Sequence, residues 1–91
     1  MEEFKPASLV MSVAGRDKGK MFIIIGRIDE NYVYISDGRM RRAEKPKKKK
    51  IKHLRIIETE IEFIAKRIEE NGRVTNSELR KTIGNYIEAS S

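Results

Sequence analysis

The chain has 91 residues, enough for one small core with or without a helical tail, and too few for two full-sized domains. It has no cysteine, which removes disulfides, thiolate metal sites and cysteine nucleophiles together and fits a reducing compartment. Its 20 Lys/Arg against 14 Asp/Glu leave a net charge of +6, and no apolar run approaches the roughly 18 residues a membrane span requires.

The opening MEEFKPASLV is acidic and lacks the basic segment and long apolar stretch of a secretory signal, so a cytoplasmic location is expected. ASLVMSVAG reads as a first strand with Leu9, Met11 and Val13 on one face. GRDKGK (15–20) follows as a charged turn. A nucleotide-hydrolase phosphate loop needs GxxxxGK[ST] between a strand and a helix. Here the glycine spacing is shorter, methionine follows the lysine, and the next pattern is a strand, so that reading fails. Gly15 and Gly19 read as turn formers with unusual dihedrals, and Asp17 as a residue fixing the turn by accepting local backbone bonds. Arg16, Lys18 and Lys20 are candidates for phosphate contact.

KMFIIIGRI (20–28) is a longer strand whose apolar centre serves both faces, with Gly26 marking a bend or bulge. DEN (29–31) turns the chain into the strand YVYIS (32–36), where Val33 and Ile35 alternate against Tyr32 and Tyr34. The two tyrosines suit either base stacking or ordinary sheet packing. DG (37–38) is a strong turn signal.

Next comes RMRRAEKPKKKKIKH (39–53). Residues 1–53 carry 14 Lys/Arg against 7 Asp/Glu and residues 54–91 carry 6 against 7, so the whole basic excess lies in the first half. A localised positive field of this kind points to a polyanion; a solvated basic face, a membrane surface or an acidic protein are the alternatives. Arg39, Arg41, Arg42, Lys45, Lys47, Lys48, Lys49, Lys50 and Lys52 are the candidate contacts, with Pro46 extending the lysines as an arm. IKHL (51–54) is the last strand candidate. Four or five short strands joined by Gly/Asp/Asn turns predict a small closed barrel, because closure removes exposed edges; the alternative is a meander packed on the C-terminal helices.

The period changes after Ile57. In TEIEFIAKRIEENG, Thr59 and Glu62 have capping-box spacing, Ile61, Ile64, Ala65 and Ile68 form a helical stripe, and Gly72 stops it; Phe63 falls off the stripe. In VTNSELRKTIGNYIEASS, Thr75 and Glu78 repeat the box. Leu79, Ile83 and Ile87 form the stripe, broadened by Tyr86, and Gly84 costs about 1 kcal/mol of helix propensity. The hairpin is expected to dock on the main body or to self-associate. A helix-turn-helix role is weak, since the second helix carries only Arg80 and Lys81. Catalysis, a metal site and a cofactor are not expected: His53 is the only histidine, and the acidic residues are scattered through turns and solvated helix positions.

The stretch from Ser8 to Gly38 resembles the KOW motif, the nucleic-acid-binding element of several ribosomal proteins and transcription-elongation factors. The likeness is carried by LVMSVAG, RDKGK, MFIIIGRI with Gly26, and YVYISDG. Extended through RMRRAEKPKKKKIKHL, it is similar to the ribosomal L14e-type family and its small bacterial KOW-domain relatives, over residues 6–57. The resemblance implies an SH3-like barrel that binds ribosomal or other structured RNA without catalysis, as a ribosomal subunit or as an associated or regulatory factor in translation. It places Gly15, Lys18, Gly19 and Lys20 on the family's inter-strand loop, Gly26 on its characteristic glycine, and Arg39, Arg41, Arg42 and the lysine run on its basic segment.

The expected fold is thus mainly β, a small SH3-like (KOW) barrel over 6–57 followed by a two-helix C-terminal hairpin over 58–91. The expected function is non-catalytic RNA binding, with ribosome association and self-association through the helices as further partner expectations. The alternative is a protein-interaction adaptor using the barrel surface or the hairpin.

Overall fold

A computed structural model describes residues 4–90; the acidic Glu2 and Glu3 and the final Ser91 of the expected hairpin lie outside the described residues. The elements run β1 (Leu9–Ser12), β2 (Met21–Arg27), β3 (Tyr32–Ser36), β4 (Lys47–Lys50), a 3-10 turn (Ile51–His53), β5 (Leu54–Glu58), α1 (Glu62–Asn71) and α2 (Asn76–Ser90). The strands form one antiparallel sheet in the order β4-β3-β2-β1-β5.

The expected closed barrel is not what forms. The fold is mixed α/β, an open five-stranded sheet with two C-terminal helices, and no ladder joins the edge strands β4 and β5. The reason lies in residues 51–53, which make a helical turn instead of a hairpin reversal and deliver β5 to β1 rather than back onto β4. Closure is also unnecessary, because charge guards the free edge: all four residues of β4 are lysine. The lysine run is therefore an edge strand paired to β3, not the extended arm expected after Pro46, and 51–53 is not strand.

Alternation along the strands builds a core on each face of the sheet. Val10, Phe22, Ile24, Val33, Ile35 and Leu54 pack with Phe4 on one face. Leu9 and Ile23 pack on the other with Ala7 and with Ile64, Val74, Leu79 and Ile83 of the hairpin and its link. The continuous apolar centre of β2 is explained by this two-sided burial. Pairing of β2 with β3 slips between Ile24 and Gly26, the irregularity anticipated at that glycine. No helix among the described residues is long and apolar enough to cross a membrane.

The two helix starts differ. Thr75 Oγ1 accepts from the Glu78 N–H at 3.1 Å and Glu78 Oε1 accepts from the Thr75 N–H at 2.9 Å, a complete capping box. The box expected at Thr59 and Glu62 does not form; Ile61 is the N-cap and makes no side-chain cap bond. Tertiary partners have taken the backbone there: the Glu60 N–H donates to Ser8 Oγ and the Ile61 N–H to the Ala7 carbonyl. Across the hairpin, Arg67 of α1 stacks on Phe63 (4.9 Å to the ring centroid) and lies 2.9 Å from Glu78 Oε2 of α2.

Gly84 sits within α2, exposed, with nothing within 4 Å of where a Cβ would stand. Gly84→Ala is expected to stabilise the fold by about 0.5–1 kcal/mol through helix propensity alone. A urea melt showing no gain would mean that this part of α2 is not helical in solution.

Candidate functional site

The GRDKGK turn is closed by backbone bonds from Lys18 N–H to Gly15 O, Lys20 N–H to Asp17 O and Gly19 N–H to Ser12 O. Gly15 and Gly19 take φ of 78° and 88°, the left-handed region that favours glycine. Asp17 does something other than the expected local capping. Its side chain points inward, the residue only 4% exposed, and accepts from Lys47 Nζ at 2.8 Å with Arg41 at 4.0 Å. Lys47 holds the Asp17 carboxyl below its usual value, against the opposing effect of burial. Lys49 is buried next to this pair, its ammonium 3.4 Å from the Ala14 carbonyl. Burial first, and then the charge of Lys47, pull its pKa down.

One carboxylate therefore gathers Lys47 and Arg41 beside Lys49 and pins the turn to β4. Arg16 and Lys18, on either side of Asp17, remain exposed, as does Lys20, whose ammonium approaches Met40 Sδ at 3.5 Å.

The segment after Asp37 is held from two directions. Asp37 Oδ1 accepts from the N–H groups of Arg39 and Arg41, and the Ser36 hydroxyl donates to the Arg41 carbonyl. From α2, Arg80 donates to the Gly38 carbonyl at 2.7 Å, and Asn76 Oδ1 accepts from the Ala43 N–H at 2.7 Å. Asn76 Nδ2 also reaches Glu44 Oε1 at 2.8 Å, while Arg42 pairs with Glu44 Oε2 at 2.9 Å. Asn76 and Arg42 together hold the exposed Glu44 carboxyl at about 2, below its ordinary 4.5. Nothing in the sequence signals Asn76 or Glu44 as positioning residues, because the partners lie more than 30 positions apart. Arg39, Arg42 and Lys45 are exposed on this segment.

Paired residues of an antiparallel ladder share a face, so β4 splits its lysines. Lys47 and Lys49 lie opposite Ile35 and Val33, on the Asp17 side; Lys48 and Lys50 lie opposite Tyr34 and Tyr32. This second face is the one the helices cover over β1 and β2. Over β3 and β4 it stays partly open, with Tyr34 42% exposed and Lys48 Nζ 4.6 Å above the Tyr32 ring centroid. Beside Tyr32 lies a groove of about 380 Å³ lined by Glu30, Asn31, Tyr32, Lys50, Ile51 and Lys52. The twelve cations singled out from the sequence thus fall into different settings. Arg41, Lys47 and Lys49 gather at Asp17, Lys48 and Lys50 flank the tyrosines, Arg42 is paired with Glu44, and the rest stand on exposed turns or, for Lys52, on the 3-10 turn.

His53 lies in the 3-10 turn. Among the described residues no group of three or more His, Asp or Glu is arranged to hold a metal ion. No known family matches the chain, and no curated protein matches it.

Proposed function

We propose that this protein is a cytoplasmic, non-catalytic RNA-binding module for ribosomal or other structured RNA. The observation that supports the reading is the division among its cations. Asp17 engages Lys47 and Arg41 at the turn, while Arg16, Lys18, Arg39, Lys45 and Lys52 are exposed and make no ion pair among the described residues. Exposed lysines of this kind neutralise phosphates and release counterions, and the arginines add bidentate geometry. The resemblance of residues 8–38 to the KOW motif, extended over 6–57 to the ribosomal L14e-type family, is a second support.

Affinity for a structured RNA, measured across a salt series, tests this. Binding is expected to weaken linearly in log–log form with salt. Replacing Lys18, Lys45, Lys48 and Lys52 by glutamine is expected to flatten that slope by about 3, at roughly 0.7–0.9 for each phosphate no longer neutralised. Absent or salt-insensitive RNA binding would overturn the reading.

A further inference from the structure

We propose that the groove beside Tyr32 takes an unpaired guanine of an RNA strand, an inference that rests on the RNA-binding reading above. Three features of the groove lead there.

The first is a rigid frame. Asp29 Oδ1 accepts from the Asn31 and Tyr32 N–H groups at 2.8 and 2.9 Å, and the Arg27 guanidinium donates to the carbonyls of Asp29 (2.6 Å), Glu30 (3.3 Å) and Phe4 (3.1 Å). On the far side the Ile51 N–H donates to the Asn31 carbonyl at 2.8 Å, tying the 3-10 turn to the β2–β3 turn. A site framed this way loses little freedom on binding.

The second is a stacking wall. Tyr32 is half-buried and lines the groove, and Lys48 sits over its ring, a contact that holds in place an aromatic surface of the kind on which a planar base stacks. Ile51 adds apolar surface.

The third is the pair of side chains left over. The carbonyls of Asp29, Glu30 and Asn31 and the N–H groups of Asn31 and Tyr32 are engaged, yet the Glu30 carboxylate and the Asn31 side-chain amide make no hydrogen bond among the described residues. A carboxylate is an acceptor with two oxygens. Of the four RNA bases, guanine alone offers two adjacent donors, N1–H and N2–H, on its Watson–Crick edge. The other bases place an acceptor beside their donor, which a carboxylate repels. In a duplex the guanine edge is consumed by pairing, so the groove selects unpaired guanine. Lys50 and Lys52 on the rim serve the flanking phosphates.

The test compares 5′-labelled single-stranded RNA 10-mers, one with a central guanine and one with adenine in its place, and the guanine strand annealed to its complement, against the intact protein. The wild type is expected to prefer the guanine strand over the adenine strand by about tenfold. Tyr32→Ala should weaken binding of the guanine strand by about tenfold or more while leaving duplex affinity within twofold. Glu30→Gln, at an exposed position where folding is not at stake, should abolish the guanine preference, and Tyr32→Phe should retain it. If wild type binds the RNAs with the expected salt dependence but shows no guanine preference, or Glu30→Gln leaves a preference intact, the groove assignment falls while the RNA-binding reading survives. If no RNA binds at any salt, both fall. Equal affinity for free 5′-GMP and the guanine strand would assign the groove to a mononucleotide and overturn the strand assignment.

Discussion

Asp17→Asn is expected to lower the unfolding free energy by about 2–3 kcal/mol at neutral pH, read as a fall in the urea midpoint with unchanged slope. Removing one partner of a buried ion pair leaves the other uncompensated, and here the remainder is worse than a single charge. Lys47, Arg41 and the buried Lys49 would face one another with no carboxylate among them. The value falls below the roughly 3–5 kcal/mol of a fully buried pair because the Lys47 side chain is 30% exposed and gains some solvation when released.

The effect carries a pH signature. The folded-state pKa of Asp17 lies below its ordinary 3.8, through the bond from Lys47, so its stabilisation is complete above that value and is lost as the pH falls through the lowered one. The gap between wild type and Asp17→Asn should therefore be constant near neutrality and narrow below about pH 4. A gap that widened on acidification would exclude the ion pair as its source. The same variant frees the turn that presents Arg16 and Lys18, so any RNA affinity that depends on their fixed placement should fall with it.

Gly38→Ala is expected to cost about 2–4 kcal/mol and to loosen α2 from the sheet. Two effects combine at this position. Gly38 has a φ of 79°, where any other residue pays about 1 kcal/mol. A Cβ there would also meet the Asn76 carbonyl oxygen well inside van der Waals contact and the Arg80 Cγ at 3.1 Å. The carbonyl belongs to the helix backbone and cannot swing aside, so the helix must shift, at a cost of about 1–3 kcal/mol typical of overpacking. Gly19→Ala separates the two, because Gly19 has a φ of 88° but nothing within 4 Å of its would-be Cβ. It should lose only the backbone part, about 1 kcal/mol. Equal losses at the two glycines in thermal or urea melts would refute the steric contact between the 38–42 segment and α2.

Local features were readable from the chain alone. The alternation of Val33 and Ile35 against Tyr32 and Tyr34, the irregularity at Gly26, the stripe of Ile61, Ile64, Ala65 and Ile68, the stop at Gly72 and the Thr75–Glu78 box depend on residues within a few positions of one another. Spacing along the chain then translates directly into a face or a hydrogen bond. The failed box at Thr59 shows the limit of that translation: once Ser8 and Ala7 supply partners to Glu60 and Ile61, the local solution is no longer the one chosen.

A basic first half, short strands with turns, and two capped or striped helices follow from the order of residues, because charge and period are properties of neighbours. Long-range packing settles the rest. The sheet stays open with a lysine edge, and Asp17 draws Lys47 and Arg41 out of the run of apparent ligands. Asn76 and Arg80 hold the 38–44 segment, and the Glu30 and Asn31 side chains beside Tyr32 are left without a hydrogen bond among the described residues. Most of these outcomes depend on contacts between residues some 20 to 40 positions apart. Many alternative pairings share the same local pattern there, and packing and charge compensation select among them.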